Sequence, residues 1–194
     1  MKTGLRFNPD KVAYFEKAGW EAYYDRDWPR AFRLMAALNR EQFHMSPWTA
    51  LLAALDIVRA SMAFAPLEGN DVPKATRYIR SYYEKARRSV EIKADAGTLA
   101  RLELDYWVVH RRLAIERMQD HDLDNGAPMV ASLANLHAAL FGIAPEAARR
   151  SAELRAQAVR TVDRITGRYS TDVEEDWRQV EAYLQQAYQA IVSA

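Results

Sequence analysis

Apolar residues recur at helical spacing along the chain. Near the C-terminus Val173, Trp177, Val180, Leu184, Ala187 and Ile191 step by four and three, which puts them on one helix face. The preceding segment repeats the pattern with Leu154, Ala158, Thr161 and Ile165. No window sustains period-two alternation, so no strand is expected. Prolines punctuate the pattern at Asn8-Pro9, Trp28-Pro29, Ser46-Pro47, Val72-Pro73, Ala127-Pro128 and Ala144-Pro145. A proline is tolerated in a first helical turn, where its fixed φ helps and its missing N–H costs nothing.

Between these marks the chain reads as eight helices. They run roughly over Pro9–Asp25, Trp28–His44, Pro47–Ala65, Pro73–Ile92, Thr98–Met118, Pro128–Phe141, Pro145–Thr166 and Asp172–Val192. Asp27 and Asp71 stand two residues before their prolines, close enough to cap. Thr171 with Glu174 has capping-box spacing. Gly142 and Gly167 follow periodic runs, where a left-handed residue is wanted. The expected fold class is all-α, with the helices as four antiparallel hairpins in a short solenoid or a compact bundle. The whole chain, 1–194, reads as one domain, with 1–94 and 95–194 as candidate sub-units.

Two segments resemble each other. Asp27-Trp-Pro-Arg-Ala31-Phe-Arg-Leu-Met35 and Asp71-Val-Pro-Lys-Ala75-Thr-Arg-Tyr-Ile79 both read Asp, apolar, Pro, basic, Ala, any, Arg, apolar, apolar. Such self-similarity is the mark of a repeat architecture. The stretch Ala18-Gly19-Trp20-Glu-Ala22-Tyr23-Tyr24-Asp-Arg-Asp27-Trp28-Pro-Arg-Ala31 resembles a tetratricopeptide-type helical hairpin, best over residues 18–38. That resemblance implies helix pairs whose packed surface receives a protein or peptide partner. The spacing here is longer than the family's repeat.

Composition narrows the classes. Hydrophobic residues make up 49% and charged residues 27%, which excludes a disordered chain. Lys+Arg 27 against Asp+Glu 26 leaves a net charge of +1, so no global field draws nucleic acid, and no nucleic-acid partner is expected. Residues 71–118 carry eleven basic and seven acidic residues, a mild local excess only. The chain has no cysteine, hence no disulfide, thiolate metal site or thiol nucleophile. Met1 to Asp10 has no apolar core of a signal peptide, and Ala50 to Pro66 is short for a span and carries Asp56 and Arg59. The expectation is a cytoplasmic protein without a membrane partner.

Candidate chemistry is sparse. Asp120-His-Asp122-Leu-Asp124-Asn-Gly126 begins like a calcium loop, but Asn125 and Ala131 stand where a glycine and a bidentate glutamate are required. It reads instead as an acidic connector. Glu41-Gln-Phe-His44 has the spacing of a di-iron bundle but occurs once. His137, among Leu133, Leu136, Leu140 and Phe141, reads as a core-edge histidine. Glu103, His110 and Arg117 recur every seven residues on one helix face, as a solvated stripe or a ligand wall. Asp56 and Arg59 interrupt an apolar helix and are expected to pair with each other, in the core or lining an internal pocket. Tyr23-Tyr24 and Tyr82-Tyr83 are adjacent, so one of each pair is expected to be exposed.

No catalytic set, metal site or cofactor motif stands out. The sequence therefore favours a non-catalytic helical-repeat protein that binds a protein or peptide through an aromatic-lined groove. The alternative is a bundle holding a small ligand or metal between helices, even as an enzyme. A homodimer is compatible with either. Candidate binding residues are Trp20, Tyr24, Asp56, Arg59, Tyr83, Glu103, Tyr106 and His110.

Overall fold

A computed structural model describes residues 5–121, 123 and 125–193. Within them the chain forms α1 (Pro9–Tyr24), α2 (Trp28–Phe43), α3 (Pro47–Phe64), α4 (Val72–Ser89), α5 (Ala96–Gln119), α6 (Ala127–Phe141), α7 (Pro145–Thr166) and α8 (Val173–Val192). No strand occurs among the described residues. The proline-led starts are as the sequence implies, and most are capped by the preceding side chain. Asn8 accepts from the Lys11 amide, Asp27 from Arg30, Ser46 from Thr49 and Asp71 from Lys74. Each cap satisfies one of the amides that a helix start leaves unpaired.

Three local expectations are corrected. Thr171 does not cap α8; Asp172 does, accepting from the Glu175 amide at 3.0 Å. Gly142 is left-handed, with φ of 71°, but Gly167 is right-handed and the left-handed turn falls on Arg168. Glycine is needed at 167 for space. A Cβ there would lie 2.8 Å from the Asp163 carbonyl oxygen. Val173, placed on the apolar seam of α8, is 48% exposed, because the seam becomes buried only from Trp177 onward.

Successive helices pack as antiparallel neighbours, and α8 returns to pack along α1. An open solenoid would leave its first and last helices apart; here the eight close into a ring. Three apolar clusters hold the ring together. The first draws Phe43, Ile79, Val90, Leu99 and Leu140 from α2, α4, α5, α6 and the α4–α5 connection, together with small residues of α3. The second joins α1, α7 and α8 through Val12, Val162, Trp177, Val180 and Leu184. The third joins α5, α6 and α7 through Leu113, Met129, Leu133 and Val159. Trp20 packs against the second and third, Trp107 against the first and third, and Phe141 against the first and second. Large side chains thus stand where the clusters meet, around the ring axis.

By length and composition α3 is apolar enough to cross a bilayer. In this fold it packs between α2 and α4, burying Ala50, Ala53, Ala54, Asp56, Ala60 and Phe64. Its outward face carries the exposed Trp48, Leu52 and Met62.

Candidate functional site

The site is the polar and aromatic interior of the ring. On α1, Glu16, Trp20 and Tyr24 follow one another at four-residue spacing and so share a face. From α5 come Glu103, Tyr106, Trp107 and His110, from α4 Tyr82 and Tyr83, from α7 Arg155 and Asp163, and from α8 Tyr188.

A buried ion pair lies in the middle. The Arg155 guanidinium donates to Glu16 through both terminal nitrogens, Nη1 to Oε2 at 3.0 Å, and Nη1 reaches the Tyr188 hydroxyl at 3.2 Å. Tyr188 in turn donates to Glu16 Oε2 at 2.6 Å. The guanidinium carbon lies 5.7 Å from the centre of the Trp20 ring, within cation–π range. Burial drives the Tyr188 phenol well above its ordinary value, and Glu16 beside it adds to the effect.

Glu103 is held differently. Its Oε2 accepts from the Tyr83 hydroxyl at 2.9 Å and its Oε1 from the Trp107 indole at 2.9 Å. Burial pushes its carboxyl above the usual range, against the lowering influence of the Tyr83 bond, Arg155 and the Trp107 bond. Glu103 is nonetheless only half-buried. Reachable by water and yet dehydrated, it sits in a concavity rather than on a convex surface. Tyr24 has the same character: 43% exposed, with a phenol raised first by burial and then by the Asp163 charge.

At the Tyr24 end, His110 Nε2 and Asp163 Oδ1 are 2.8 Å apart. Asp163 Oδ2 accepts from Arg117 Nη2, and Arg117 Nη1 donates to Asn125 Oδ1 at 2.9 Å. The His110 ring stacks on Tyr106, with centroids 6.1 Å apart and planes 6° from parallel. At the other end Phe7 packs against Phe141 at 5.9 Å and Tyr188 at 5.6 Å, closing the interior with apolar rings. The interior therefore opens toward Tyr24.

Six of the eight residues named from sequence, Trp20, Tyr24, Tyr83, Glu103, Tyr106 and His110, converge here. Asp56 and Arg59 do not, and they do not pair with each other. Asp56 is 7% exposed and accepts from Lys85 Nζ of α4 at 2.6 Å. Arg59 is exposed, 5.9 Å above the Tyr78 ring. A spacing of three brought them to one side of α3, but α4 packs over Asp56 and supplies the nearer cation. The aromatic pairs also depart from expectation. Tyr23 and Tyr24 are both 43% exposed, whereas neither Tyr82 nor Tyr83 is exposed. Tyr82 reaches back to Asn39 of α2 at 3.1 Å while Tyr83 reaches forward to α5, so adjacent residues serve two neighbours.

Sequence reasoning missed Glu16, Asp163, Arg155 and Tyr188. Among the six arginines from Arg149 to Arg168, Arg155 stands in register with the buried Ala148, Ser151, Ala152, Ala158, Val159 and Val162. That register was the available signal. The side chains of Glu41 and His44 lie apart from the interior, beside a depression of about 380 Å³ shared with Phe15, Ala37, Arg40 and Met45. Asp122 and Asp124 of the acidic connector lie outside the described residues. Among the described residues no three His, Asp or Glu side chains form a metal-ligating group. No family model, no curated protein and no solved structure matches this chain.

Proposed function

We propose that the chain is a non-catalytic binding protein whose site is the interior of the ring, entered past Tyr24. The observation that carries this reading is the convergence of aromatic and charged side chains from five helices on a space that water reaches but does not fully hydrate. Ligand sites are concave and mostly apolar, with a few placed polar groups, and this interior has that make-up. A ring closed by α1 and α8 leaves no long groove for a partner helix. The ligand is accordingly a small molecule, or a single side chain or chain end presented by a partner.

The rim favours a contribution from a partner protein. Tyr23 lies edge-on to Tyr24 at 5.3 Å and to Trp28 at 5.5 Å, and all three are more than two-fifths exposed. Exposed aromatic clusters of this kind mark interfaces. The tetratricopeptide-like reading of residues 18–38 belongs to this proposal. Its support is the approach of the two helices at Gly19, where an added Cβ would stand 3.9 Å from the Leu34 Cβ. Stacked helix pairs of that kind present concave binding surfaces.

The test is a thermal-shift and native mass-spectrometry screen of the full chain against neutral, anionic and cationic small molecules. Stabilising compounds should lose their effect in Trp20→Ala and Tyr24→Ala, and keep it in Trp48→Ala on the outer face. If no compound of any charge stabilises the chain, or the three variants behave alike, the interior is not the site.

A further inference from the structure

We propose that Glu103, with the rings of Tyr83, Tyr106 and Trp107, receives an organic cation: a protonated amine or a quaternary ammonium group. The inference rests on the interior being the binding site and names what it binds.

Both Glu103 oxygens accept hydrogen bonds, and both donors are neutral. No Lys, Arg or His lies within ion-pair distance of this carboxylate among the described residues. The nearest strong cation, Arg155, is already engaged by Glu16 through two nitrogens. Arg155 and Glu16 cancel, so the ionised interior carries one uncompensated negative charge. A dehydrated charge of this kind is costly unless a counter-charge joins it.

The walls suit that counter-charge. Aromatic faces attract cations through their quadrupole, and most strongly where water is excluded. The rings are held in place. Trp107 packs on Phe64 at 5.6 Å, Tyr83 on Tyr82 at 5.0 Å and Tyr106 on His110. The Tyr106 hydroxyl has no hydrogen-bond partner among the described residues, although the residue is only 7% exposed. It is left to meet a ligand or water. An anion would be repelled by Glu103, and a neutral guest would leave its charge uncompensated.

The experiment is calorimetric titration of the full chain with choline and with 3,3-dimethylbutan-1-ol, its uncharged isostere. A short peptide carrying one trimethyllysine forms the third arm. Choline should bind and the isostere should not. Glu103→Gln keeps an acceptor for both donors and removes the charge, so choline affinity should fall by about tenfold or more. The same variant should melt higher than the parent, which excludes loss of fold as the cause. Tighter binding of the peptide than of choline would identify the source as a partner's side chain; the reverse would identify a free amine. Equal binding of choline and isostere, unchanged choline binding in Glu103→Gln, or no binding of any cation would overturn the proposal. If the cations fail while a neutral or anionic compound still stabilises the chain in a manner sensitive to Trp20→Ala, the interior site stands and the cation is wrong. If nothing binds, both readings fall.

Discussion

Arg155 of α7 and Glu16 of α1 meet inside the ring although 139 residues separate them. With Tyr188 of α8, they tie the helices that close the ring at the point where α8 returns to α1. Removing either charge strands the other in a dehydrated place. Arg155→Met or Glu16→Gln should each cost about 3–5 kcal/mol, and the double variant should cost less than the sum of the two. Urea melts of the three variants check this. Single-variant losses within about 1 kcal/mol would mean that closure rests on the apolar seam alone.

Asp56 and Lys85 make the corresponding test on the opposite side. Lys85 Nζ also donates to the Ser81 hydroxyl at 2.8 Å, so the ammonium is held from two sides. Lys85→Met leaves the Asp56 carboxylate buried without its cation and should cost about 3 kcal/mol. Arg59→Ala removes an exposed side chain resting on Tyr78 and should cost at most about 1 kcal/mol. The reverse order would restore the pairing within α3.

These two pairs mark how far the sequence could be read. All eight helices were legible, because proline starts, aspartate caps and periodic apolar faces are local and agree with one another. The inward faces of α1 and α5 were partly legible, since Trp20 and Tyr24, and Glu103, Tyr106 and His110, lie at helical spacing. Pairing across helices was not legible. Asp56 has a nearer candidate in its own helix than in α4, and nothing local distinguishes Arg155 as the partner of Glu16. Ring closure is likewise a property of helix crossing angles, and residue spacing does not encode these in readable form.

His137 predicts a pH response. It is 6% exposed, its Nδ1 lies 3.0 Å from the Ser151 hydroxyl, and burial lowers its pKa from 6.5 to about 3, with Arg155 adding to the effect. The unfolded chain therefore binds a proton between pH 6.5 and 3 that the folded chain refuses. Stability contributed by the neutral ring is fully present above 6.5 and falls as pH drops, with a slope approaching about 1.4 kcal/mol per pH unit. Glu103 acts in the opposite sense, because its raised carboxyl takes up a proton more readily in the folded state. Comparison of the parent with His137→Gln isolates the histidine. The parent should lose more stability than the variant on going from pH 7 to pH 4. Parallel stability curves would show that His137 is protonated within the fold.

The α7–α8 hairpin separates packing from charge most sharply. Arg164 Nε donates to Asp176 Oδ2 at 2.9 Å, so the basic end of α7 meets the acidic start of α8. Glu174 and Glu175 are exposed; Glu175 pairs only with Arg178 one turn along its own helix. Such surface charges contribute little beyond favourable placement at the positive end of the helix dipole. Trp177 is 8% exposed and packs in the cluster of Val12, Val162, Val180 and Leu184. Trp177→Ala should therefore cost about 3–5 kcal/mol, with no dependence on salt. Neutralising Glu174 and Glu175 together should cost less than about 2 kcal/mol, and that loss should shrink as salt screens the dipole and the Arg178 pair. Denaturant melts of both variants at low and high ionic strength decide between them. A larger loss in the charge variant would mean that electrostatics, and not the Trp177 seam, holds α8 on α7.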